Sequence, residues 1–350
     1  MRYGLIGCGG IGALRAAALG QTPGARLVAV SDVDPERARA LAAGHGAAVE
    51  PDWRRLVERA DVDAVFVSTP PNLHADMAIG ALEAGKHVLV EKPLAREPLE
   101  ARAMMAAAAS ARRHLATGFN YRFYPSVVRA RELMASGRIG ELDHIRSYAG
   151  YSATDHNPPW VHDAGVMGGG ALRDNGIHLI DLTRLFLGDV AEVKGFATDH
   201  VWGFPQCEDN GFALLRGTGG RIASLHASWN EWRGYQLLVE IYGTRGCIRT
   251  WCFPMKTEVT WSAERAGRMR RKTDRFLGTM AMEHLKSYRW VVVQSFVAEQ
   301  QEFERATRGE PSLAATGRDG LKALEVAHAV AHAPPVRRGR AAGVAQVAGD

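Results

Sequence analysis

Gly7-Cys8-Gly9-Gly10-Ile11-Gly12 lies between the short apolar run Tyr3-Gly4-Leu5-Ile6 and a helical pattern from Ala13 to Gln21. A G-x-G-x-x-G carries little weight alone, but here a strand pattern precedes it and a helix follows. An acid, Asp32, stands 20 residues past Gly12 at the end of Leu27-Val28-Ala29-Val30. A dinucleotide-binding Rossmann unit needs this order. Gly7 permits the tight turn, Gly9 and Gly10 let backbone approach a pyrophosphate, and Gly12 lets helix pack on strand. The unpaired N–H groups at the helix start, from Ile11 on, meet the phosphates. A carboxylate at Asp32 accepts both ribose hydroxyls and repels a 2′-phosphate. Val33 and Asp34 follow it, with no Arg adjacent. The expected cofactor is NAD in preference to NADP.

Length and composition suit a two-domain soluble protein: 350 residues, 46% hydrophobic and 23% charged. The start reads straight into a strand, so no signal peptide is expected, and no apolar run reaches the ~18 residues of a membrane span. Cys8, Cys207, Cys247 and Cys252 lack metal-ligand or disulfide spacing, which favours reduced thiols, no metal site and a cytoplasmic protein. The net charge of +5 is concentrated in Glu264–Arg275 and the tail after Ala333. No nucleic-acid-binding module accompanies it. The Arg265–Arg275 segment reads as a solvated loop, with contact to an anionic substrate or a neighbouring subunit as the alternative.

Strand and helix patterns alternate up to about residue 120, with strands at Leu27–Val30, Ala64–Ser68, Val88–Val90 and Leu115–Gly118. Helical patterns lie at Pro35–Ala43, Trp53–Arg59, Leu73–Ala84 and Pro98–Arg113. This predicts an α/β domain over 1–120, a parallel sheet with helices on both faces. After Tyr121 the runs Val190–Ala197, Gly211–Leu215, Ile222–Ser228, Leu237–Tyr242 and Cys247–Trp251 have few helices between them. Residues 121–333 are therefore expected to form an α+β domain with an open, mainly antiparallel sheet. Its helices are expected at Ser126–Ser136, near Gly168, at Met282–Arg308 and at Asp319–His332, the last packing back on the first domain. Residues 334–350 read as a disordered tail.

Three segments carry chemistry. Thr69-Pro70-Pro71-Asn72-Leu73-His74 ends a strand and offers Asn72 as a helix cap, in a loop lining the cofactor's ribose side. Glu91-Lys92-Pro93 puts a lysine at the carboxyl end of a parallel strand, where an ammonium stabilises a developing alkoxide; Pro93 keeps Lys92 out of the helical region and invites a cis bond. In Asp174-Asn175-Gly176-Ile177-His178 an acid and an imidazole are four apart, hence on one helix face, with Asp181 on the same side. An imidazole removes a proton near neutrality, and a nearby carboxylate orients it or the substrate.

Taken together with Gly118-Phe119-Asn120-Tyr121-Arg122-Phe123, these segments resemble the Gfo/Idh/MocA family of sugar and cyclitol oxidoreductases over almost the whole chain. The resemblance implies Lys92, Asp174 and His178 as the catalytic set, Asn120 beside the nicotinamide, and dimer or tetramer contacts through the second-domain sheet. It also implies a cofactor site that draws on Thr69, Pro70, Asn72, His74, Glu91 and Lys92. Candidate substrate contacts are Arg122, His156, Asn157, Trp160 and Tyr235, besides Asp174 and His178. The expected activity is NAD-dependent oxidation of a secondary alcohol in a small sugar, amino sugar or cyclitol, or the reverse reduction, without nucleic acid or membrane partners. The alternatives are a redox-neutral, NAD-retaining epimerase or glycosidase and a non-catalytic NAD-binding regulatory or assembly protein.

Overall fold

The computed structural model describes residues 1–153, 158–264 and 267–333. The expectations for Asp155, His156, Asn157, Arg265 and the tail 334–350 fall outside these residues. The first half runs β1 (Arg2–Ile6), α1 (Gly10–Leu19), β2 (Arg26–Ser31), α2 (Pro35–His45), β3 (Ala48–Val49), α3 (Trp53–Glu58) and β4 (Ala64–Val67). It continues through α4 (His74–Glu83), β5 (His87–Val90), α5 (Pro98–Ala111) and β6 (Leu115–Thr117). Helix boundaries follow local chemistry. Asp34 caps α2 by accepting from the N–H groups of Glu36 and Arg37, Pro35 fits the first turn, and Gly46 ends the helix at φ +63°. Such a cap contributes about 1 kcal/mol. The six strands are parallel in the order β3-β2-β1-β4-β5-β6, so the order reverses between β1 and β4. At such a switch point the carboxyl ends of the strands open a crevice for a ligand.

The second half comprises α6 (Pro125–Ala135), β7 (Leu142–Gly150), α7 (Ala164–Met167), α8 (Gly176–Leu187), β8 (Val190–Thr198), β9 (Asn210–Gly217) and β10 (Ile222–Ser228). Then come β11 (Gln236–Gly243), β12 (Gly246–Trp251), β13 (Lys256–Trp261), β14 (Arg270–Asp274), α9 (Leu277–Lys286), α10 (Tyr288–Thr307) and α11 (Gly317–Ala331). Eight strands pair in the order β14-β13-β12-β11-β7-β10-β9-β8, antiparallel except for β7 with β10. Helices α6, α8 and α11 cover one face of this sheet. Helix α11 also packs on α5 and β6, and the Thr117 N–H donates to the Ala315 carbonyl at 2.9 Å just before it.

Several elements differ from expectation. Strand β7, central to the sheet, is not among the strands read from the sequence, although Gly137 (φ +65°) and Gly140 (φ +76°) turn the chain just before it. Helix α8 starts at Gly176 rather than near Gly168, because Gly168 (φ +82°) and Gly169 (φ +154°) hold a turn that L-residues avoid. The expected helix Met282–Arg308 is two helices, broken where Ser287 takes φ +72°. The basic segment is a loop only in part: Arg270–Asp274 pairs with β13 as the edge strand, and Arg271 forms an ion pair with Glu258 on that neighbour. Charged edges of this kind resist further strand pairing.

Candidate active site

The turn after β1 has the geometry that its glycines allow. Gly7 sits at φ +94°, and a Cβ there would lie 2.6 Å from the Ser68 carbonyl. A Cβ on Gly12 would lie 2.0 Å from the Gly7 carbonyl, so only glycine lets α1 approach β1 this closely. Gly9 and Gly10, by contrast, face open space. Helix α1 has neither a side-chain cap nor an acid in its first turn, leaving its N–H groups for a ligand. Asp32 closes the turn, its carboxylate accepting from the N–H of Cys8 at 2.5 Å and of Asp34 at 2.8 Å. These residues fit a dinucleotide: an open glycine cradle at an uncapped helix start, with a half-buried carboxylate at the neighbouring strand end.

Not every expected cofactor residue faces this crevice. Thr69 and Pro70 stand half-buried at the carboxyl end of β4. His74 is fully buried, and its ring nitrogens lie 2.8 Å from the Thr69 carbonyl and 2.9 Å from that of Pro93. It therefore ties the loop after β4 to the Lys92-Pro93 turn and is spent as a cofactor contact. Asn72 lies in a 3₁₀ turn, Pro71–Leu73, and caps no helix. Glu91 is taken up by the buried Arg15 of α1, whose other partner is Glu299 of α10 at 2.8 Å. Its second oxygen accepts the Lys92 N–H at 3.2 Å. Asn120 is buried and donates its amide to Ser295 of α10 at 2.8 Å.

The two halves of the chain meet at Lys92. Its peptide bond to Pro93 is cis, as the sequence invites. The ammonium reaches Asp174, 3.2 Å from a carboxylate oxygen and 3.1 Å from the backbone carbonyl. The other carboxylate oxygen accepts from the Tyr151 hydroxyl and, at 3.1 Å, from the Trp229 indole. Asp174 stands in the turn before α8 rather than on the helix, and none of its hydrogen bonds goes to His178. His178 is 6% exposed on α8. Its Nδ1 is enclosed without a hydrogen-bond partner, which leaves Nε2 for the cleft. Burial first, and the Lys92 charge second, hold its pKa well below the usual imidazole value, so the ring is neutral and able to accept a proton.

Arg122 and Asp181 form a separate unit beneath the site. The guanidinium binds both Asp181 oxygens, at 2.8 and 2.5 Å, and lies 3.6 Å from Asp319 of α11. With its donors so engaged and 7% exposure, Arg122 braces α8 and α11 and does not reach a substrate. Tyr235 lies near the centre, its hydroxyl 3.1 Å from that of Tyr121 and its ring stacked on Tyr151 at 5.8 Å. Trp160 is 37% exposed in the 3₁₀ turn Pro159–His162. Tyr121, Tyr151 and Trp229 are not among the site residues read from the sequence, although Tyr121 lies in the Gly118–Phe123 segment, because an aromatic residue alone gives no sign of what it faces.

Among the described residues no cluster has a metal's ligand set, and no helix is long and apolar enough to cross a membrane. Comparison with known proteins adds the family. Residues 1–119 match the oxidoreductase family with an NAD-binding Rossmann fold, and residues 127–249 match the GFO/IDH/MocA C-terminal domain. The chain is 30% identical to inositol 2-dehydrogenase of Rhizobium meliloti over 97% of its own length and 98% of that protein's. Inositol 2-dehydrogenase 2 of Saccharopolyspora erythraea is 34% identical over 71% of this chain and 72% of its own. The structure of a levoglucosan dehydrogenase complexed with NADH superimposes with a TM-score of 0.83 at 25% identity, covering 94% of this chain and 95% of that one. The chain belongs to the Gfo/Idh/MocA family and is an NAD-dependent dehydrogenase acting on CH–OH groups, of the sugar and cyclitol type.

Proposed function

We propose that this Gfo/Idh/MocA dehydrogenase oxidises a secondary ring alcohol of a cyclitol or monosaccharide, with His178 as base and Lys92 as the cation on the reacting oxygen. The meeting of Lys92, Asp174 and a neutral His178 carries this reading. NAD bound along Gly9, Gly10 and Asp32 supplies a hydride acceptor in its nicotinamide ring. His178 Nε2 takes the hydroxyl proton. Lys92 Nζ donates to the same oxygen as its charge grows, which stabilises the transition state more than the ground state. Asp174, fixed by Tyr151 and Trp229, aims that ammonium. Burial of the imidazole keeps it unprotonated and ready at neutral pH.

The full-length likeness to an inositol 2-dehydrogenase and the fold likeness to a levoglucosan dehydrogenase favour a small, uncharged, polyhydroxylated ring. We place the nucleotide-binding unit at 1–120 and the substrate unit at 121–333, and read the enzyme as a cytoplasmic homo-oligomer. The test is direct. Purified protein with NAD and a panel of inositols, aldoses, amino sugars and anhydrosugars should raise absorbance at ~340 nm, where the reduced nicotinamide absorbs. Tightly held NAD with product formed but no accumulating NADH would favour a redox-neutral enzyme instead. Binding of a partner protein without turnover of any polyol would favour a regulatory one.

A further inference from the structure

Among the described residues no carboxylate is hydrogen-bonded to His178. The charged groups around it come from three elements: Lys92 after β5, Asp174 in the turn before α8, and Asp181 one turn along α8. Asp174 is occupied by Lys92, Tyr151 and Trp229, and Asp181 by Arg122. The nearest cation therefore opposes a charge on the imidazole. What touches the ring is aromatic. Tyr121 lies flat against it, centroids 4.0 Å apart and planes 4° from parallel. Tyr124 backs Tyr121 at 4.6 Å, and Phe253 meets Tyr121 edge-on at 6.0 Å. The Tyr121 hydroxyl, 3.1 Å from that of Tyr235, fixes the remaining freedom of the ring. Phe119 approaches His178 more distantly, at 6.0 Å.

We propose that Tyr121 is a positioning residue: its π face orients His178 and stabilises the positive charge that the imidazole gains on taking the hydroxyl proton. This rests on His178 being the base. In the step, the substrate O–H bond breaks, the proton joins Nε2, the oxygen's electron pair forms the carbonyl, and the hydride leaves carbon for NAD. The imidazole becomes an imidazolium with one ring face covered by the negative face of an aromatic quadrupole. A cation within ~6 Å of such a face is attracted, and more so away from water.

The test changes the face and keeps the shape. In the full chain loaded with NAD, Tyr121→Phe is compared with 3,5-difluoro- and 3,4,5-trifluorophenylalanine at the same position, since fluorine progressively weakens the face. His178 titration is followed by carbon-13 NMR of Cε1, assigned by its absence in His178→Gln. Turnover is followed with the most active polyol of the panel. Tyr121→Phe, which keeps the aromatic face and gives up only the hydroxyl's contact with Tyr235, is the reference for the fluorinated series. Along the fluorinated series the His178 midpoint should fall by about half a unit to one unit, with kcat/KM falling about three- to tenfold and NAD affinity unchanged. A midpoint that ignores fluorination overturns the proposal. Fluorine-dependent titration without turnover of any polyol supports the stack and counts against the substrate class instead.

Discussion

At the scale of single residues, the site is a pair of opposite demands on charge. In the proposed mechanism Lys92 serves as the cation and His178 as the neutral base, and the Lys92 charge bears on the imidazole. Burial settles the second demand, since it lowers the His178 pKa more than the Lys92 charge does. Removing Lys92 therefore leaves the imidazole neutral and takes away only the oxygen's partner. Lys92→Met and His178→Ala should each lower turnover by about 10²-fold or more. NAD affinity, read by fluorescence titration, should hardly change, because neither side chain belongs to the glycine cradle. Wild-type turnover in either variant would remove that residue from the mechanism.

Elements are joined around the site by buried charge. Arg15 on α1 lies between Glu91 at the end of β5 and Glu299 on α10, so one guanidinium serves two carboxylates. Arg15 is also capped by Phe296, 4.2 Å from its ring centroid. Burial pushes the Glu299 carboxyl up to about 7 from its ordinary 4.5, against the pull of Arg15. Between those two values the folded chain holds a proton that the unfolded chain has released. The contribution of this group to stability is thus full below pH ~4.5 and is lost as pH rises toward ~7. Glu299→Gln keeps the shape and removes the titration. Denaturant unfolding at pH 5 and pH 8 should show the variant gaining about 1–3 kcal/mol on the wild type between the two. An equal difference at both pH values would mean that Glu299 does not titrate in this window.

At the scale of the whole molecule, the described residues leave one broad surface uncovered. Helices pack on a single face of the eight-stranded sheet. On the other face Phe196 (56% exposed), Phe212 (45%) and Leu214 (57%) form a group with His226, stacked on Phe212 at 3.9 Å. A contiguous apolar patch of this kind on a soluble protein marks an interface. We infer that two copies cover it with each other, the symmetric arrangement that closes most readily. Phe212→Glu combined with Leu214→Glu should halve the mass measured by light scattering and leave the NAD site intact. Unaltered mass would place the contact elsewhere.

Sequence alone determined the nucleotide half of this protein, because its information is local. Gly7 to Gly12, Asp32 and the strand–helix alternation each report on backbone a few residues away, and a glycine that must sit at φ +94° declares itself in the chain. Lys92 and His178 stand out as candidates for the same reason. Which charges meet does not show in the chain. Arg122 read as a substrate contact, yet it is locked to Asp181; His74 read as a cofactor contact, yet both its ring nitrogens lie against backbone carbonyls. The same holds for β7, whose place at the sheet centre depends on partners distant in sequence. Tertiary structure decided these points because burial and pairing depend on what long-range packing brings within reach. A side chain's type fixes its donors and charge, and only its neighbours fix where they are used.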